Sequence, residues 1–67
     1  MKVTYDKNAD ALYVSFRTSD IQRTIEISDG FHVDVDSKGK LVGVEMLNAS
    51  EAIPPRDLTQ PIQIITV

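Results

Sequence analysis

Between Phe31 and Leu47, FHVDVDSKGKLVGVEML, apolar and polar residues alternate on both sides of a Gly-containing turn. Runs of Val and Phe bounded by Gly, Asp and Ser predict two antiparallel strands. A slip of one residue turns every side chain to the other face, so parity decides the register. An even loop, Lys38-Gly39 or Ser37 to Lys40, sets Val35 opposite Val42, Val33 opposite Val44 and Phe31 opposite Met46. An odd loop sets Val33 against Gly43 and Phe31 against Glu45. The even loop makes one face wholly apolar and is expected, with Gly39 at positive φ. The other face, His32, Asp34, Asp36, Leu41, Gly43, Glu45 and Leu47, is mixed.

The same reading extends along the chain. Met1, Val3 and Tyr5 share a face, and a loop from Lys7 to Asp10 pairs them with Phe16, Val14 and Leu12. Arg17-Thr18-Ser19-Asp20 is a polar loop, and Gln22–Ile27 is a third strand with Ile25 and Ile27 on the apolar side. Its register against the second strand stays open, because several choices turn Arg23 inward. A three-residue loop, Ser28 to Gly30, sets Ile27 against Phe31 and leaves Gly30 left-handed. Asn48 and Glu51 have capping-box spacing and predict a short helix near residues 49–53, stopped by Pro54-Pro55. Arg56 to Gln60 reads as a connector. Ile62–Val67 reads as a C-terminal strand, either a sixth strand of the same sheet or one exchanged with a neighbour. The expected fold is mainly β, a five-stranded antiparallel meander with one short helix and that terminal strand.

Sixty-seven residues make one small domain. A chain this short buries only about 60% of its unfolded surface, so its stability is marginal without help. With no Cys, disulfides and thiolate metal sites are excluded. The net charge of −3 argues against nucleic acid, which needs a basic stripe to displace counterions. No apolar run reaches membrane-spanning length, and MKVTYDKNAD lacks the apolar core of a signal peptide. A cytoplasmic protein is expected.

Tyr5-Asp6, Ala9-Asp10-Ala11-Leu12-Tyr13, Gly30, Asp34-Val35-Asp36, Gly39 and Val42-Gly43-Val44-Glu45-Met46-Leu47 with Ala49-Ser50 form a composite pattern. It resembles the small prokaryotic family known as domain of unknown function 2283, over roughly residues 1–53. The resemblance implies a compact β-rich domain with no assigned activity and no catalytic residues to carry over. Some members are encoded beside toxin-like proteins, which implies an antitoxin-like role for those. Residues 54–67 have no counterpart in the pattern and form a C-terminal extension.

Three groups of residues bear on chemistry. Asp34-x-Asp36-x-Lys38-Gly39-x5-Glu45 nearly matches a calcium loop, but Lys38 opposes the ion and the flanks are strands where that motif needs helices. The expected registers align Glu26, His32 and Glu45 in one row across three strands, a set suited to metal ligation or acid–base work. Such rows are more often cross-strand pairing. Asp6, Asp10 and Tyr13 sit near the first turn, where capping is the simpler role. No cofactor is implied.

The inward-facing set forms one continuous apolar face, and a sheet must bury such a face against a second layer. Residues 49–67 offer too little cover. The sequence therefore predicts a non-enzymatic module that self-associates, most simply as a dimer, and binds a protein partner, in the antitoxin-like version a basic toxin. Its expected interface holds Phe16, Phe31, Val33, Val44, Met46, Ile62, Ile64, Ile65 and Val67, with Gly30 and Gly39 at turns. The competing expectation is a small metal-binding or acid–base enzyme using Glu26, His32 and Glu45.

Overall fold

A computed structural model describes residues 1–67. Alternation in the sequence becomes five strands: β1 (Lys2–Asp6), β2 (Ala11–Ser15), β3 (Arg23–Ser28), β4 (Phe31–Val35) and β5 (Leu41–Leu47). Two one-turn helices follow, α1 (Ala49–Ala52) and α2 (Pro55–Leu58). All strand pairs are antiparallel, in the order β1-β2-β5-β4-β3. Strands β3, β4 and β5 form a meander, and the β1–β2 hairpin pairs with the far side of β5.

So β2 pairs with β5 and not with β3, the neighbour that chain order suggests. The segment 16–22, with the polar run Arg17 to Asp20 inside it, connects β2 to β3 in place of a tight turn. Arg17 pins this crossing: its Nε donates to Leu41 O at 3.0 Å and its Nη2 to Asp36 Oδ2 at 2.5 Å. The order suits the side chains. Val42 and Val44 place the most apolar strand at the centre, while Arg23 and Glu26 sit on β3, where a free edge tolerates and uses charge. The difficulty of turning Arg23 inward disappears at an edge, where it stays exposed opposite Val35.

The expected registers hold over most of the sheet. Val3 lies opposite Val14, Tyr5 opposite Leu12, Ile25 opposite Val33, Val33 opposite Val44 and Phe31 opposite Met46. Two bulges correct the rest. Val35 pairs with Leu41, not Val42, because the loop from Asp36 to Lys40 is odd and an irregularity beside Val42 restores the even register. Ser28, not Ile27, lies opposite Phe31, so the turn is the two-residue Asp29-Gly30 and Ile27 sits in a bulge. Each bulge admits one extra residue, satisfying both a short turn and an unbroken apolar face. Gly30 and Gly39 have φ of 76° and 77°, as their turns require.

Near the C-terminus the capping box does not form. Asn48 precedes α1 in a left-handed conformation and makes no side-chain cap. The second helix was not anticipated: Pro55 occupies its first turn, where a missing N–H costs nothing, so Pro54-Pro55 separates two helices. Residues 61–67 form no strand and make no backbone hydrogen bond with the sheet, so the sixth strand within the chain is absent.

Candidate functional site

Both faces of the sheet bear on function. On the polar face two rows cross the sheet. One runs Glu26, His32, Glu45, Tyr13 and Thr4, from β3 to β1. The next runs Thr24, Asp34, Gly43, Ser15 and Lys2. The predicted alignment of Glu26, His32 and Glu45 is therefore present. Its chemistry is thin. His32 Nδ1 lies 3.5 Å from Glu45 Oε1, beyond good hydrogen-bond distance, and that buried nitrogen has no partner. No group of three His, Asp or Glu side chains converges well enough to hold a metal ion.

The polar cluster built on the buried carboxylate lies diagonally across those rows. Tyr13 Oη donates to Asp34 Oδ2 at 2.7 Å, and Thr24 Oγ1 donates to Asp34 Oδ1 at 2.6 Å. Asp34 is only 9% exposed, so both of its oxygens are satisfied where water is scarce. Gly43 makes the diagonal possible. A Cβ there would lie 2.6 Å from Tyr13 Cζ and 2.7 Å from Val14 O. The hydrogen bond to Asp34, with burial second, pushes the Tyr13 phenol up to about 12. This cluster joins β2, β4 and β3 over the back of β5. The available signal for it was a glycine inside an otherwise strong strand, which marks a close approach.

A second cluster ties the first turn to α1. Asp10, at φ 51°, accepts Ser50 N at 3.0 Å and Ser50 Oγ at 2.6 Å, and Tyr5 Oη donates to the same carboxylate at 2.6 Å. Ala49 N donates to Asp10 O at 3.0 Å, and Ala49 is fully buried. Asp10 thus does the capping expected of Asn48. Ser50 foremost, then Tyr5, holds the Asp10 carboxyl below its ordinary value, and Asp10 in turn raises the Tyr5 phenol. Asp6, by contrast, caps its own turn, accepting Asn8 N and Ala9 N. The three residues grouped at this turn therefore separate into three structural roles.

The near-calcium loop is likewise internally satisfied. Asp36 Oδ1 accepts Lys38 N and Lys40 N, both at 2.9 Å, and Oδ2 meets Arg17. Arg17 first, and the Lys40 amide next, hold its carboxyl below the usual range. A wholly polar groove of about 490 Å³ opens beside it, walled by Arg17, Asp20, Gln22, Asp36, Lys38 and Lys40 among others.

The apolar face is different in kind, because it lacks a lid. Val44 sits on the central strand between Val14 and Val33, yet it is only half-buried, as are both neighbours. Among apolar side chains only Val35, Val42 and Ala49 are buried, and no large side chain is fully so. Phe31 and Met46 are half-buried, Phe16 is 40% exposed, and the tail residues Ile62, Ile64, Ile65 and Val67 are all exposed. What cover exists lies to one side. Ile53, Leu58 and Ile62 share a small apolar cleft of about 180 Å³ with Val3, Tyr5 and Leu12, and Ile64 continues toward Met1. Ala52 and Glu51 border only the turn end of Phe31 and Met46. No residue of the C-terminal segment shares a cleft with Ile25 or Val33, which are half-buried like Val3 and Leu12. No helix is long and apolar enough to cross a membrane.

A family model described as a protein of unknown function, DUF2283, matches residues 2–50. No curated protein and no solved structure matches the chain.

Proposed function

The chain belongs to the DUF2283 family, which carries no assigned activity, and we propose that it works as a self-associating protein-binding module whose apolar sheet face is closed by a second copy. The observation that carries this reading is Val44, which lies at the centre of the sheet and is still not buried. Each large apolar side chain left wet forgoes about 1.5–3 kcal/mol. Several such residues match the entire stability expected of a domain, about 5–15 kcal/mol. A second copy suits the face because its strand-borne residues from Val3 to Met46 are uncharged apart from Arg23 at the β3 edge. The like charges of two acidic chains thereby stay apart when the faces meet.

The polar face is organised by hydrogen bonds between side chains of the same chain, and its row of Glu26, His32 and Glu45 makes no close contact suited to proton transfer. This favours a binding role over catalysis. The acidic balance of the chain, with Glu26 and Glu45 on the outward side of the pair, suits a basic protein partner. That is the chemistry an antitoxin-like role requires.

Val33→Asp tests the reading by placing a charge on the half-buried apolar face, beside Val44. It should abolish the dimer measured by light scattering, while Glu45→Gln on the opposite face leaves it intact. A wild-type chain that is monomeric and cooperatively folded would remove the proposal.

A further inference from the structure

The groove beside Asp36 differs from the other concave surfaces of the chain, each of which carries apolar residues. Three of the seven Lys and Arg side chains, Arg17, Lys38 and Lys40, line it, with the hydroxyls of Ser19 and Ser37 beside them. That clustering runs against the net charge of −3. The volume of about 490 Å³ lies within the ~300–1,000 Å³ of small-molecule sites. Such sites are mostly apolar. A wall with no apolar side chain instead suits a ligand rich in charge and hydroxyls.

Both walls are fixed without a ligand. One is the turn from Asp36 to Lys40. Asp36 N donates to Lys40 O, Gly39 N donates to Asp36 O, and Asp36 Oδ1 accepts the amides of Lys38 and Lys40. The other wall is the connection from β2 to β3. Phe16 N on Val42 O and Gln22 N on Val35 O hold its two ends, each at 2.8 Å. Arg17 joins the walls through Leu41 O and Asp36. A site ordered in advance loses less freedom on binding.

Charge in the groove is unequally spent. Both Asp36 oxygens are engaged, and Arg17 answers their charge. Arg17 commits two of its five N–H donors to acceptors in the chain, which leaves three. Lys38, Lys40 and Asp20 form no ion pair. Two ammonium groups and a part-used guanidinium are thus set against one unpaired carboxylate. Arg as a planar fork and Lys as a point charge are the donors that phosphate oxygens recruit. We propose that this groove binds a small, polar phosphate monoester, with Arg17, Lys38 and Lys40 on the phosphate and Ser19, Ser37 and Gln22 beside the hydroxylated remainder. Asp20 opposes the anion and keeps its affinity low. None of these residues belongs to the apolar face, so the site is independent of the self-association proposed above.

An amide chemical-shift titration of the full chain with glycerol phosphate tests this. The pH is set well above the second ionisation of a phosphate monoester, at about 6, and sodium chloride at matched ionic strength is the control. The expected result is saturable shifts confined to residues 17–22 and 36–40, at several-fold lower concentration than inorganic phosphate needs. Lys38→Gln with Lys40→Gln should raise the half-saturating concentration roughly tenfold or more. Asp20→Asn should lower it several-fold. All three side chains are exposed and unpaired, so these variants should melt as the wild type does. Equal saturation by inorganic phosphate would assign the groove to the free ion and overturn the monoester. Chloride giving the same shifts, or the double variant binding unchanged, would overturn the site itself. Weaker binding by Asp20→Asn would show that the carboxylate receives the ligand and would overturn the charge assignment.

Discussion

Ser50 is bound by a carboxylate forty positions earlier: its Oγ and its amide both donate to Asp10, at 2.6 and 3.0 Å. This contact fixes where the chain goes after the sheet ends. Asp10 takes a left-handed conformation at the close of the first turn, which aims its carboxylate and its carbonyl at the start of α1. Asp10→Ala should therefore lower the melting temperature and speed amide exchange at Ala49 and Ser50, with the sheet amides less affected. Ser50→Ala should lose less, because the Ser50 amide and Tyr5 still satisfy the carboxylate. Equal exchange at Ser50 in wild type and Asp10→Ala would show that the helix is held by something else.

Tyr13 and Gly43 should behave as one unit. Tyr13→Phe leaves Asp34 short of a partner in a buried position, a loss of about 1.5–3 kcal/mol for a hydrogen bond to a charged group. Gly43→Ala forces the ring off its path and should cost at least as much, since Val14 O lies behind it and is backbone. Both changes break the Tyr13–Asp34 hydrogen bond, while the clash with Val14 O remains, so the double variant should fall short of the sum by about that one bond. Chemical denaturation of the four proteins decides this, and strict additivity would sink the coupling.

The pH dependence should have one arm at each end of the scale. Asp10 and Asp36 have carboxyls held below the ordinary 3.8, so the stability they bring is present above that value and is lost as pH falls through their folded-state values. Tyr13 has a raised phenol, so its contribution is complete below pH 10 and is lost between 10 and about 12. Thermal melts of wild type and Tyr13→Phe should converge as pH passes from 10 toward 12. Parallel curves across that range would contradict the assignment.

Arg17 holds the crossover that lets β2 reach β5. Replacing it by Met keeps the stem but removes both contacts, to Leu41 O and Asp36. The expected outcome is a loss of protection at Phe16 and Gln22, the two crossover amides bonded to strand carbonyls. Unchanged exchange there would assign the crossover to backbone pairing alone.

Much of this molecule was legible in the alternation of its side chains. Val3 opposite Val14, and Val33 opposite Val44, follow from parity alone. The row of Glu26, His32 and Glu45 follows from the same parity. Strand order was not legible, because a hairpin leaves a parity signal and a crossover such as residues 16–22 leaves only a polar loop. The bulges at Ile27 and Val42 were hidden for a related reason: alternation fixes which face a residue takes, and an extra residue can be absorbed without changing any other. Long-range side-chain bonds, Asp10 with Ser50 and Tyr13 with Asp34, depend on which strands become neighbours. They were readable only as odd residues, a turn Asp and a mid-strand Gly. The uncovered face, in contrast, was visible from composition and length, since nineteen residues after Asn48 cannot roof five strands.

The central claim concerns that face, and molar mass tests it most directly. Light scattering of the unmodified chain after size exclusion, over a hundredfold dilution series, should give twice 7.5 kDa, about 15 kDa, at the upper concentrations. Loss of sheet structure should accompany any fall toward 7.5 kDa on dilution, because folding and pairing are then linked. A mass of 7.5 kDa at every concentration, with a cooperative melt independent of dilution, would contradict the account.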